Sequence, residues 1–183
     1  NVIRNFGLSD IQAVLDLLNR NLGVGFYTVP DLEKAIFENN IYSMYVSFDG
    51  DILEGFAIGY ITTNEHIIKQ LSNYSISYSL LSHQIGVVKT IVVEQQYRNR
   101  GIGQKLCDSL IKSLTLKGAQ TFISLAWKQG DEINAHFMLQ RNGFNQHAEL
   151  KEYWKTDSLE KQYSCVMCGK PPCLCSAFLY VNT

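Results

Sequence analysis

Residues 86–103, which read GVVKTIVVEQQYRNRGIG, decide the fold of this chain. The first half, residues 86–93, is an almost continuous apolar run with only two polar interruptions, which is typical of a strand covered on both faces of a sheet. The second half is polar and reaches Gly101 and Gly103 just as a helical pattern begins. The stretch therefore predicts a strand, a glycine-containing loop and a helix, in that order.

The sequence after this loop completes a larger unit. From Gly101 to Lys117 the apolar residues recur every three or four positions, as on one face of a helix, and Gly118 ends the pattern. Thr121 to Trp127 then has the composition of a second buried strand. Because a helix that joins two parallel strands crosses over in a right-handed sense, residues 86–127 are predicted to form a β-α-β unit.

The regions on either side supply further strands and helices. Strands are predicted at 2–6, 42–48, 52–62, 144–154 and 176–181, and helices at about 9–22, 30–40 and 131–141. Residues 64–85 are predicted to be a loop or an added element between strands. Together these elements predict an α/β fold with a mixed, mostly antiparallel sheet, a central parallel β-α-β unit and flanking helices, all within one domain at 1–183.

The loop has the chemistry of a phosphate-binding site. The first amides of a helix have no partners inside the helix and carry a partial positive charge. Gly101 and Gly103 let an anion approach the backbone, while Arg98 and Arg100 add positive charge. We therefore expect a pyrophosphate to bind here. The nucleoside-triphosphate and dinucleotide glycine motifs fit worse, and a plain glycine-rich turn with solvated arginines is the remaining alternative.

The composition is that of a globular protein without a charge excess. The 183 residues are 46% hydrophobic, and 16 Lys+Arg against 17 Asp+Glu give a net charge of -1, which argues against broad nucleic-acid binding. We expect no membrane span, and the N-terminus lacks the apolar core of a signal peptide, which predicts a cytoplasmic location. Charged residues make up only 18%, which predicts a surface buried against a partner, such as a second copy in a homodimer.

Residues 98–103, RNRGIG, resemble the [RQ]-x-x-G-x-[GA] signature of the GCN5-related N-acetyltransferase (GNAT) family. Ala135 and the pair Gly143-Phe144 resemble the family's second signature, although Gln95 stands where the family often has proline. The order of elements is similar over nearly the whole chain. The resemblance implies an acyl-CoA N-acyltransferase-like fold.

The resemblance also implies that acetyl-CoA binds as the cosubstrate. Its pyrophosphate would lie on the loop amides, and its pantetheine arm would run along the preceding strand where two parallel strands separate. The Val93 amide would polarise the thioester carbonyl, and Asn134 would bond either the cosubstrate or its own helical turn. The implied binding residues are Ile91, Val92, Val93, Arg98, Asn99, Arg100, Gly101, Ile102, Gly103 and Asn134.

The implied activity is direct transfer of an acetyl group to a primary amine of a small molecule, peptide or protein. Glu94 is the nearest carboxylate and is predicted to be the general base, with a solvated loop glutamate as the alternative. Leu139 stands where the family often has a tyrosine that protonates the leaving thiolate. A thiol pKa of about 8.5 lets the thiolate leave with little help. A catalytically weak or inactive acetyl-CoA-binding module is therefore the alternative function.

Four of the five cysteines crowd residues 165–175 in a C-x2-C-x4-C-x-C pattern. Four thiolates can complete a closed tetrahedral shell, so we predict a structural zinc site at Cys165, Cys168, Cys173 and Cys175. The short C-x-C spacing leaves disulfides, free thiols or an iron–sulfur cluster as alternatives. These cysteines belong to a predicted insert, residues 155–175, between the last two strands. There the insert would stiffen a lid over the acceptor site, or hold a partner if the protein is a binding module.

Overall fold

The chain forms eight strands and six α-helices, and the computed structural model describes residues 1–183. The strands are β1 (Val2–Asn5), β2 (Tyr42–Asp49), β3 (Ile52–Thr63), β4 (Gln84–Val93), β5 (Thr121–Gln129), β6 (Glu132–Ile133), β7 (Asn145–Leu150) and β8 (Ala177–Asn182). The helices are α1 (Ile11–Asn21), α2 (Val29–Phe37), α3 (Asn64–Gln70), α4 (Ile102–Leu116), α5 (His136–Arg141) and α6 (Lys155–Lys161).

All eight strands belong to one sheet. Its order is β1-β2-β3-β4-β5-β8-β7, and the short β6 pairs with β5. Only β4 and β5 run parallel, and α4 connects them, whereas every other neighbouring pair is antiparallel. The predicted α/β class, with a mostly antiparallel sheet and a central β-α-β unit, is confirmed.

Helices cover both faces of the sheet. Side chains alternate between the faces along a strand, and Phe56 and Ile58 pack with α1 and α2 while Ala57 between them packs with α4. The buried face of α4 consists of Ile102, Leu106, Cys107, Leu110 and Leu114. These two layers place the start of α4 on one face of β4 and the connection between α1 and α2 on the other.

The helix predicted over residues 131–141 begins later than expected. Gly130 adopts a positive φ of 60°, and Glu132–Ile133 turns back to pair with Lys128–Gln129. Helix α5 starts only at His136. The predicted start of this helix near residue 131 is therefore wrong, because the segment extends β5 into a short hairpin.

The strand predicted over residues 144–154 is shorter than expected. It ends at Leu150, and Lys155–Lys161 forms α6, so the first part of the predicted insert is helical. Part of the stretch 64–85 is also helical, because the Thr63 hydroxyl caps α3 by accepting from the His66 amide. Ile67 and Leu71 then pack beneath the sheet. No helix combines the length and apolar character that crossing a bilayer requires.

Candidate functional site

The parallel strands β4 and β5 separate after a short contact. They pair only from Ile85 to Val87 on β4, and the last link is a hydrogen bond of 2.9 Å from the Ser124 hydroxyl to the Val88 carbonyl. Beyond this point β5 continues along its other neighbour, β8, as far as Trp127. Residues 89–93 of β4 therefore have an edge with no strand beside it.

The Val93 amide points into this gap. The Glu94 amide donates to the Glu54 carbonyl on β3 at 2.8 Å, and the ladder places Val93 opposite Gly55. Because successive backbone groups in a strand alternate sides, the Val93 N–H points away from β3. Ile91 shares this orientation, whereas the backbone groups of Val92 face β3. Of the three predicted strand positions, Ile91 and Val93 therefore present polar groups to the gap.

The loop that follows β4 is fixed in position by the Arg98 side chain. Arg98 donates from Nε to the Val93 carbonyl at 3.0 Å and from Nη2 to the Asn21 side-chain oxygen at 2.8 Å. Asn99 and Gly101 both adopt positive φ angles, 61° and 77°, which turn the chain into α4. The first amides of α4 are thereby presented beside the gap.

The two loop arginines differ in what they do. Arg98 is occupied by the strand and by α1, so it fixes the loop. The Arg100 guanidinium lies over the Tyr97 ring, 5.5 Å from its centre, and is exposed. Of the two arginines, Arg100 therefore has the guanidinium that is available to bind an anion.

Two further predicted binding residues, Gly103 and Asn134, lie in different surroundings. Gly103 lies in the first turn of α4, where a Cβ would have Met138 and Val93 as its nearest neighbours, at 3.5 and 3.7 Å. Asn134 is exposed, lies between β6 and α5 rather than in a helical turn, and donates to Gln129 at 2.9 Å. The structure thus places Gly103 at the gap and gives Asn134 a side-chain partner within the same hairpin.

Glu94, the predicted base, is paired. Its Oε2 atom accepts from Arg20 at 2.7 Å, and its other carboxylate oxygen accepts from the Gln95 amide. Desolvation acts to raise the pKa of Glu94, but the hydrogen bonds from Arg20 and Gln95 outweigh it and hold the pKa below its usual value. A carboxylate in this state is a weaker base than a free one.

The position of the missing general acid is filled by core packing. Leu139 is completely buried and packs in the cluster beneath α4, so it presents nothing to the gap. Tyr153, elsewhere in the chain, accepts a hydrogen bond from Gln70 at 2.7 Å, and burial raises its pKa. Position 139 therefore supplies no proton donor for the leaving thiolate.

Lys89, on the other face of β4 beside the connection between α1 and α2, was not predicted as a site residue. Tyr27, between α1 and α2, bonds to the Thr90 hydroxyl at 2.7 Å, and desolvation raises its pKa. The Lys89 ammonium lies 5.0 Å from the centre of the Tyr27 ring and has no ion-pair partner. Lys89 is reached by solvent, yet the surrounding protein desolvates it and lowers its pKa. The signal was visible, because Lys89 is a lone charge within an apolar strand.

The four clustered cysteines come together in space. Their sulfur atoms all lie within 4.8 Å of one another, with 3.4 Å between Cys168 and Cys175 and 3.9 Å between Cys165 and Cys175. A tetrahedral zinc with Zn–S bonds of about 2.3 Å would place its sulfurs about 3.8 Å apart. No disulfide joins them. The arrangement fits one thiophilic metal ion.

Local groups around the cysteines suit such an ion. The Met167 amide donates to the Cys165 sulfur at 3.4 Å, and Gly169 closes the turn with a positive φ of 77°. Burial raises the pKa of Cys173, and it raises that of Cys175 to about 11. Desolvation also acts to raise the pKa of Cys168, but hydrogen bonds from the Leu174 amide and from the neighbouring cysteines lower that pKa below its usual value. An ion bound here would have to displace the protons of the thiols whose pKa is raised.

Comparison with known proteins adds a family match and several structural neighbours. The sequence model of the protein family described as acetyltransferase (GNAT) matches residues 11–144. Naa20 from Chaetomium thermophilum, solved with a bisubstrate analogue, superposes with a TM-score of 0.70 at 14% identity, covering 100% of this chain and 86% of that one. NAA60 from Arabidopsis thaliana, also with a bisubstrate analogue, gives 0.69 at 16% identity and coverages of 99% and 96%.

A third neighbour is the ribosomal-protein-alanine N-acetyltransferase from Brucella melitensis, with a TM-score of 0.66, 13% identity and coverages of 100% and 99%. No curated protein sequence matches the chain significantly. At such identities the solved structures show a shared fold and no more. The family match, in contrast, spans most of the chain and includes the strand, the loop and the helix that form the gap. The chain belongs to the GNAT acetyltransferase family.

Proposed function

We propose that this protein transfers an acetyl group from acetyl-CoA to an amine of a peptide or protein. The observation that carries the proposal is the open edge of β4, where the Val93 amide points into a gap beside the first amides of α4. Neighbours with the same fold were solved with bisubstrate analogues, and one is named for a ribosomal protein. These names favour a peptide or protein acceptor over a small molecule.

Each predicted binding residue then has a specific task. The amides of residues 98–103 bind the pyrophosphate, with Arg100 adding charge, and Arg98 positions the loop. The pantetheine arm bonds to the strand edge through Ile91 and Val93. Val92 supports that edge through its pairing with β3, and Asn134 bonds the outer part of the arm if it gives up Gln129.

The acetyl transfer needs the protein mainly to position the two substrates and to stabilise the negative charge that develops on the thioester oxygen. The amine nitrogen attacks the thioester carbonyl, a C–N bond forms, the C–S bond breaks, and sulfur leaves as a thiolate. The Val93 amide stabilises the oxyanion, a role in which one donor contributes about 10²–10³ in rate. The amine proton passes to water or to a base, and the thiolate is a good leaving group without a tyrosine because thiols are far more acidic than alcohols, with a pKa of about 8.5 for free cysteine.

The cysteine cluster is proposed to hold one zinc ion in a closed shell, with Cys165, Cys168, Cys173 and Cys175 as ligands. Four protein ligands leave no open position, so the ion would be structural. Reduced thiols suit a reducing compartment, which supports the proposed cytoplasmic location. We further propose that residues 1–183 form one domain, because the insert packs on the connection between α1 and α2.

The activity is tested with acetyl-CoA and a panel of peptides that differ in their first residue and in internal lysines. We expect release of one CoA thiol for each acetylated amine, as measured by thiol titration and mass spectrometry. Acceptors with an acidic side chain next to the amine are expected to react best, because the Lys89 ammonium beside Tyr27 has no ion-pair partner. Acetyl-CoA binding without thiol release across the panel would instead favour a binding module, which the buried Leu139 and the paired Glu94 make the second candidate.

The predicted role of Glu94 stays a prediction, and its ion pair implies a small contribution. Replacing Glu94 with Gln is expected to lower kcat by less than about tenfold, whereas a true general base contributes about 10²–10⁴. The measurement is kcat as a function of pH with the best acceptor of the panel. Replacing Arg20 with Ala is the matched control, because it frees the carboxylate and should raise the pKa of Glu94. A loss of 10² or more in Glu94→Gln, with one limb of the pH profile missing, would establish Glu94 as the base.

A further inference from the structure

The connection between α1 and α2, residues 22–28, lies beside Lys89 through its residue Tyr27, and we call it the acceptor loop. Four hydrogen bonds join it to the insert, and the longest, 3.4 Å, runs from the Ser164 hydroxyl to the Val24 carbonyl. The Ser164 amide donates to the Val24 carbonyl at 3.0 Å, the Val166 amide donates to the Leu22 carbonyl at 3.1 Å, and the Val24 amide donates to the Ser164 hydroxyl at 3.1 Å. The two insert amides flank Cys165, so the first cysteine of the cluster lies inside this contact.

The acceptor loop is shaped to fit the insert. Gly23 has a φ of 138°, and a Cβ there would overlap the carbonyl oxygen of Ser164, so only glycine allows this approach. Phe26 packs edge-on against Tyr163 with 5.0 Å between ring centres, and Tyr27 packs against Phe26 at 5.2 Å. Since Tyr27 bonds to Thr90 on β4, the contact extends from the cysteines to the strand that carries the open edge.

The insert has few other means of holding its shape. Between residues 162 and 175 no helix or strand forms beyond one isolated bridge, and the only buried residues are Tyr163, Cys165 and Cys173. Two of these three are cysteines of the cluster. A segment with so small a core depends on a cross-link or a metal for a fixed structure.

We propose that a thiophilic divalent ion bound by the four cysteines fixes the acceptor loop and thereby shapes the surface beside Lys89. We call this metal-dependent contact, which Ser164 and Val166 make with the acceptor loop, the clamp. The consequence for catalysis rests on the proposed function, because it supposes that the acceptor binds beside Lys89. Loss of the metal should raise the KM for the acceptor and leave the KM for acetyl-CoA unchanged, since the cosubstrate lies at the loop before α4.

The clamp is tested without any acceptor, by metal analysis and amide hydrogen exchange on the reduced full chain. We expect about one zinc per chain. Removing it with a strong chelator should speed exchange of the Val24 and Val166 amides at least tenfold, and adding Zn²⁺ back should restore slow exchange. Acetyl-CoA affinity should change less than twofold. A reduced protein without zinc, or exchange that is unchanged after zinc removal, would overturn the proposal.

Two variants distinguish binding of the metal from the contact between the insert and the acceptor loop. Gly23→Ala should keep its zinc but exchange at the acceptor loop as fast as the metal-free protein, because the added methyl group displaces Ser164. Cys107→Ala removes the cysteine outside the cluster and should keep both zinc and slow exchange. If neither the zinc-loaded nor the zinc-free protein binds acetyl-CoA, the proposed function is wrong. The exchange rates would still decide whether the clamp exists. Slow exchange in zinc-loaded Gly23→Ala would contradict the clamp.

Discussion

Replacing Gly103 with tryptophan is expected to weaken acetyl-CoA binding at least a hundredfold, which corresponds to about 2.7 kcal/mol. Gly103 lies in the first turn of α4, and a side chain there points toward Met138 and Val93. An indole would fill the space between the loop amides and the strand edge, where we place the cosubstrate. Titration calorimetry with acetyl-CoA measures the loss.

The matched control is Lys112→Trp, which puts the same bulk on an exposed position of the same helix. It should bind acetyl-CoA as tightly as the wild type. Thermal unfolding of both variants shows whether the fold is retained, and we expect it to be, because the neighbours of Gly103 are no closer than 3.5 Å to the added Cβ. Wild-type affinity in Gly103→Trp would refute the assignment of the loop.

Replacing Arg98 with alanine is expected to weaken acetyl-CoA binding about tenfold, or about 1.4 kcal/mol. Its guanidinium ties the loop to the Val93 carbonyl and to Asn21 on α1, so its loss lets the loop amides move away from their positions. Arg98→Lys should not rescue binding, because an ammonium group cannot reproduce the planar fork that reaches both partners. Calorimetry at two salt concentrations measures the effect.

The comparison with Arg100→Ala distinguishes position from charge. Arg100 only lies over Tyr97, so its removal should cost less affinity than that of Arg98, and the cost should shrink at high salt. The cost of Arg98→Ala should depend less on salt. A larger loss in Arg100→Ala than in Arg98→Ala would mean that direct attraction of the phosphates dominates and that the anchoring role of Arg98 is wrong.

The strand, loop and helix that form one side of the site were predictable from the sequence, because they consist of consecutive residues. The apolar run before Glu94, the glycines at 101 and 103 and the helical periodicity after them are short-range signals, and the β-α-β unit that they predict is present. The separation of β4 from β5 depends on where pairing stops between strands about 35 residues apart. No local pattern encodes that point, and the resemblance to a family was what implied it.

The side-chain roles that were missed depend on long-range contacts. Arg98 was expected to supply charge, but its partner Asn21 lies 77 residues away and turns it into an anchor. The contact between Val24 and Ser164 spans 140 residues, so nothing near either residue indicates it. Helix α6 was missed because Tyr153 and Trp154 before it favour a strand, whereas the chain leaves the sheet at Leu150.

The most direct measurement is a CoA titration followed by the backbone amide signals of the folded protein. Binding at the open edge of β4 should shift the amides of Ile91, Val93, Gly101, Ile102 and Gly103 in a saturable way, with the amide of Val92 moving less because it faces β3. The amide signals of the insert should not shift. Saturable binding that leaves Val93 and Gly103 unshifted and moves another part of the chain would contradict the proposed site.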